Sequence, residues 1–87
     1  MTQPANVTVA AGSIVTFKVV ATGATSYQWQ ASTDGGKTWK DSGANGNKTA
    51  TLSFTAAAAH NGYKFRCVVT GSGGQTVTSN AAVLTMK

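Results

Sequence analysis

The chain has 87 residues, a formal net charge of +5, 41% hydrophobic residues and 10% charged residues. That length accommodates one domain, spanning residues 1–87. The low charge content, against about 25% in an ordinary soluble domain, argues against a charged helical bundle, and the apolar content argues against a disordered tail.

Apolar and polar residues alternate between turn signals that recur about every ten residues, which predicts an all-β fold. Val7 and Val9 alternate in a first strand that Gly12 ends. Val15, Phe17, Val19 and Ala21 share one face of a second strand, and Gly23-Ala24 turns the chain. Tyr27, Trp29 and Ala31 line one face of a third strand, with Gln28 and Gln30 on the other. Thr33-Asp34-Gly35-Gly36-Lys37 is a tight hairpin turn, because Asp-Gly adopts the positive φ angles such turns need. Thr38-Trp39-Lys40 continues as a short strand, and residues 42–48 form a loop. Ala50, Leu52 and Phe54 alternate in the next strand. Ala56 to His60 is too short for an independent helix and reads as one helical turn closed by Asn61-Gly62. Phe65, Cys67 and Val69 then share a face, and Gly71-Ser72-Gly73-Gly74 is a hairpin loop. The last strand runs from Val77 to Met86, with a bulge expected near Ser79-Asn80 that changes which face is buried.

The basic residues, Lys18, Lys37, Lys40, Lys48, Lys64, Arg66 and Lys87, stand singly, without the basic stripe of a nucleic-acid binder. No segment approaches the roughly 20 apolar residues of a membrane span, so no membrane insertion is expected. Met1-Thr2-Gln3-Pro4 lacks the basic start and apolar run of a signal peptide. That opening fits a domain cut from a longer exported protein, or one assembled inside a cell. A lone cysteine forms no internal disulfide, and Cys67 on an apolar strand face is expected to be a buried, inert thiol.

Catalysis has few candidates. Glycosidase chemistry needs two carboxyl groups flanking the bond, but the chain has no Glu and only Asp34 and Asp41. A nucleophile needs a base held by a third group, and His60, the single histidine, has no evident orienter. Asp34 and Asp41 are too few for calcium, and zinc lacks ligands. The expectation is therefore no catalytic residue, no metal and no cofactor. Asn6-Val7-Thr8 and Asn47-Lys48-Thr49 have sequon form and read as polar surface. The best-motivated binding surface centres on Trp39, with Gln28, Gln30, Lys37 and Lys40 around it. An indole stacks on a sugar face, and the flanking amides and ammonium groups hydrogen-bond hydroxyls or pair with acidic groups.

Two runs carry a resemblance to a known family. Tyr27-Gln28-Trp29-Gln30-Ala31-Ser32-Thr33-Asp34-Gly35-Gly36-Lys37-Thr38-Trp39 resembles strand C and its hairpin in immunoglobulin-like modules of bacterial surface proteins and phage virions. Asn61-Gly62-Tyr63-Lys64-Phe65-Arg66-Cys67-Val68-Val69-Thr70 resembles their strand F. Gly12 to Phe17 and Thr78 to Ala82 are similar to strands B and G. The resemblance implies an immunoglobulin-like β-sandwich of about seven antiparallel strands in two sheets, with the strand-C Trp packed in the core. It places Val19 where an antibody-like domain has its first cysteine, so the disulfide is missing, a loss worth about 2–5 kcal/mol that packing must make up. It also places Phe65 at the tyrosine-corner position. Ser32 to Trp39 further resembles the Asp box of sialidase propeller blades, a structural hairpin remote from their chemistry.

The function implied is that of a non-catalytic module at a bacterial cell surface or on a phage virion. It would act as a spacer or adhesion domain, with cell-surface polysaccharide or another surface or virion protein as partner. A purely structural virion or fibre decoration domain, or an accessory domain of a secreted carbohydrate-active enzyme, would carry the same features.

Overall fold

The computed structural model describes residues 2–42 and 46–87. Gly43, Ala44 and Asn45, part of the loop expected over 42–48, lie outside the described residues.

The described residues form an all-β fold of eight strands with one short 3-10 turn. The strands are β1 (Val7–Val9), β2 (Ile14–Lys18), β3 (Ala24–Ser32), β4 (Lys40–Asp41), β5 (Thr51–Thr55), β6 (Lys64–Gly71), β7 (Thr76–Thr78) and β8 (Ala82–Met86). A six-stranded sheet runs β1-β8-β6-β3-β4, with β7 also on β6, and β2 and β5 form a separate two-stranded sheet. All pairs are antiparallel except β1 with β8, where Val7, Thr8 and Val9 lie opposite Leu84, Thr85 and Met86 in parallel. The chain therefore begins beside one sheet and crosses to the other. Thr2 bridges Val20 next to β2, and by Val7 the backbone has joined β8. Pro4 is buried between these two points, where a residue without an N–H leaves no donor unpaired.

The alternation read from the sequence is the inward face of each strand. Val15, Phe17 and Leu52 from the small sheet, with Val19 just after β2, meet Trp29, Phe65, Cys67, Val69, Ala82 and Leu84 from the large one in a single buried cluster. Phe17 stacks on Phe65 at 5.0 Å and lies 6.4 Å from Trp29, while Phe54 contacts Phe65 at 5.1 Å. Trp29 is fully buried, and its backbone and side chain are both tied down. Its N–H donates to the Asn47 carbonyl at 2.7 Å, its carbonyl accepts from the Ser42 N–H at 2.9 Å, and its indole N–H donates to the Thr49 carbonyl at 2.7 Å. These bonds fold the segment after β4 back over the core.

The last strand expected from the sequence is two strands. The chain breaks at Ser79, whose N–H donates to the Cys67 carbonyl at 2.8 Å while its hydroxyl accepts the Cys67 N–H at 2.8 Å. The Ser79 hydroxyl thus replaces a backbone carbonyl in the ladder. The interruption changes the inward parity, as the bulge expected here required. Val77 on β7 lies opposite core residue Val69, whereas Ala82 and Leu84 point inward on β8. This break turns the expected count of about seven strands into eight. The helical turn is Ala58–His60, where the His60 Nδ1 accepts the Ala57 N–H at 3.1 Å, so the only histidine serves as a cap.

Replacing Ser79 by Ala leaves the buried Cys67 N–H without its acceptor. We expect Ser79→Ala to lose about 1–3 kcal/mol of unfolding free energy, read from urea denaturation.

Candidate functional site

Two local devices build the candidate site. The first is the hairpin between β3 and β4, which is organised around Asp34. Asp34 Oδ1 accepts from the Ser32 hydroxyl at 2.7 Å and from the Lys37 and Thr38 N–H groups at 3.0 Å each, and Oδ2 accepts from the Thr38 hydroxyl. The Ser32 hydroxyl also accepts the Gly36 N–H at 2.8 Å. Gly35 and Gly36 have φ of 81° and 100°, values that other residues adopt only under strain. The hydroxyl and N–H of Thr38, then the Ser32 hydroxyl and the Lys37 N–H, hold the Asp34 carboxyl well below the usual carboxylate range. Because these bonds extend to Thr38, pairing resumes only at Lys40, one reason why β4 is Lys40–Asp41 rather than 38–40.

The second device is register. The outer face of the large sheet carries Gln30 opposite Arg66, beside Gln28 opposite Val68 and Ser32 opposite Lys64. Trp39 comes off the hairpin onto this face. The Arg66 guanidinium carbon sits 4.2 Å from the centre of its ring, a cation–π stack. Arg66 Nε–H donates to Gln30 Oε1 at 2.9 Å, and Gln30 Nε2 donates to Asp41 Oδ1 at 3.4 Å. Gly36 leaves room beside the ring. A Cβ there would lie 3.9 Å from Trp39 and 3.8 Å from the Lys64 stem, so these two side chains flank the same spot.

The residues singled out in the sequence separate into two groups. Gln28, Gln30 and Trp39 share the outer face. Gln28 spends its amide N–H on the Trp29 carbonyl at 2.9 Å, and Gln30 is engaged at both ends of its amide. Lys37 lies exposed at the hairpin tip, and Lys40 lies opposite Ala31, on the face turned away from Gln30. The cations that register adds to Trp39 are Arg66 and Lys64, which the sequence reading left out. The signal for them was present: positions 64 and 66 alternate with the inward residues Phe65 and Cys67.

Elsewhere, a pocket of about 330 Å³ has an apolar floor of Ala31, Phe54 and Phe65 under Asp41, His60 and Tyr63. Among the described residues no three His, Cys, Asp or Glu converge as a metal site, and no helix is long and apolar enough to cross a membrane. Cys67 is a free, fully buried cysteine, and burial pushes its thiol up to about 11.

The chain belongs to a family described as a domain of unknown function, DUF8696, whose model matches residues 1–87. No curated protein matches it.

Two outcomes follow. The Asp34 carboxyl titrates lower in the folded chain than its unfolded value near 3.9, so its stabilisation is complete above that value and drains away as pH falls towards the folded one. Asp34→Asn should therefore lower the thermal midpoint at pH 7, and the gap to the parent protein should narrow below about pH 4. Cys67 should resist a thiol reagent at pH 8 in the native protein and react on unfolding in urea, followed by mass spectrometry.

Proposed function

We propose that the chain is an immunoglobulin-like β-sandwich acting as a non-catalytic module of a bacterial cell-surface protein or phage virion. It holds its position as a spacer and contacts cell-surface polysaccharide weakly through the outer face of the large sheet. The observation that carries this reading is the Trp39 ring, half-buried on that face and set among Arg66, Lys64, Gln28 and Gln30. A partly exposed indole on a rigid sheet offers an apolar platform to a sugar ring, and neighbouring donors meet its hydroxyl groups. The packing of Trp29 between strands that resemble C and F supports the family reading, as does the single core shared by both sheets. The 41 × 24 × 20 Å dimensions suit a spacer.

The chemistry-bearing groups are committed to structure, which supports a module without catalysis. Asp34 holds the hairpin, Asp41 pairs with the Gln30 amide, His60 caps a turn and Cys67 is buried. A second reading, a virion or fibre decoration domain without a ligand, draws on the same stack: Arg66 packing on Trp39 fastens the hairpin to the sheet.

Titration of the protein with a panel of bacterial polysaccharides and host glycans separates the two readings. At about 0.3 M salt the Debye length is only roughly 5–6 Å, so indiscriminate charge attraction is suppressed. We expect selective binding that survives this salt and weakens roughly tenfold or more in Trp39→Ala, a loss of about 1.4 kcal/mol or more. Absence of binding, or binding that vanishes with salt, leaves the decoration domain.

A further inference from the structure

We infer that the ligand of the outer face is an acidic glycan, and that Arg66 anchors it through a sugar carboxylate while Trp39 supports the ring. This rests on the reading of that face as a polysaccharide-contacting surface and adds the chemical class of the ligand. Arg66 is held at two points. Its Nε–H is committed to Gln30 Oε1 at 2.9 Å, and one side of its plane lies against the Trp39 ring at 4.2 Å. Its two Nη groups take no partner among the described residues. A guanidinium fixed by Nε and by stacking presents the Nη groups as a ready fork, and a carboxylate is the planar, two-oxygen partner that such a fork matches.

The surroundings point the same way. Asp41 Oδ1 accepts from Gln30 Nε2, which turns Gln30 Oε1 towards Arg66 and makes Gln30 a positioning residue for the guanidinium. The other acid of the chain, Asp34, has its carboxylate filled by hairpin donors, so it does not compete for Arg66. Lys64 stands two residues from Arg66 on the same face, about 7 Å along the strand, with its ammonium beside Gly36 and the Trp39 edge. The indole platform, the carboxylate fork and a second cation thus share one face of the sheet, with both cations bordering the ring. A neutral sugar would leave the fork unpaired. A polymer of uronic acid supplies a ring for Trp39 and a carboxylate for Arg66 from one residue.

The test uses an oligogalacturonate and its fully methyl-esterified counterpart, which keeps the rings and removes the charge. Calorimetric titration at about 0.3 M salt suppresses long-range attraction. The acid form should bind roughly tenfold or more tightly than the ester. Arg66→Gln should bring the acid down to the level of the ester measured on the same variant. Arg66→Lys, which keeps the charge but loses the fork, should lose most of the difference, and it carries the test if Arg66→Gln melts early. Lys18→Gln removes the same charge from the exposed side of β2 and should change neither affinity. Equal binding of acid and ester, abolished by Trp39→Ala, overturns the inference while the polysaccharide-contacting face stands. An equal loss in Lys18→Gln also overturns it, because net charge would then be the cause. Binding of neither oligosaccharide overturns it too. The wider glycan panel then decides whether the reading beneath it falls as well.

Discussion

The fold hangs on the burial of Trp29. An indole is the largest apolar group a chain of this size can place at its centre, but its N–H must find an acceptor there. The Thr49 carbonyl supplies it at 2.7 Å, and the Asn47 carbonyl takes the backbone N–H of the same residue at 2.7 Å. One side chain thereby fixes three things at once: the inward face of β3, its register with β6 through the Trp29–Cys67 pair, and the return of the chain towards β5. Phe17 and Phe65 pack on this arrangement, and the small sheet is held to the large one by that aromatic contact. Cys67 lies directly opposite Trp29 with its thiol free, so the two sheets meet without a disulfide between them.

A second constraint comes from the scarcity of acids. Seven basic residues face two acidic ones, and both acids hydrogen-bond within the protein. Asp34 spends its carboxylate on four donors of one hairpin, and Asp41 meets a glutamine amide. Among the described residues the cations therefore go largely without carboxylate partners, and their placement is governed by strand register and by the aromatic ring available to them. Among the described residues, Arg66 alone stacks on such a ring. The same economy that keeps the hairpin rigid also sets the sign of the surface beside it.

Much of this was legible in the sequence, and the reason is range. Alternation along Val15, Phe17 and Val19, or along Phe65, Cys67 and Val69, is a property of consecutive residues, because side chains on a strand point to opposite faces with a period of two. The Asp34 hairpin, the helical turn before β6 and the bulge at Ser79 also announce themselves within a few residues. The site was legible in part. Trp39, Gln28 and Gln30 share the outer face, but Lys40 reads as a neighbour of Trp39 in sequence and lies on the opposite face in space. Arg66 is separated from Gln30 by 36 positions, and no local pattern states that they meet.

The sequence by itself determined the all-β character, the inward residues, the rigid hairpin and the absence of an internal disulfide, since each follows from residue chemistry over short spans. Tertiary structure alone decided the parallel pairing of β1 with β8, the replacement of a ladder carbonyl by the Ser79 hydroxyl, and the stack of Arg66 on Trp39. Each of these joins groups from distant parts of the chain. A one-residue slip in register would turn every side chain of a strand to the other face, so only the burial of the inward residues selects the register that brings such groups together.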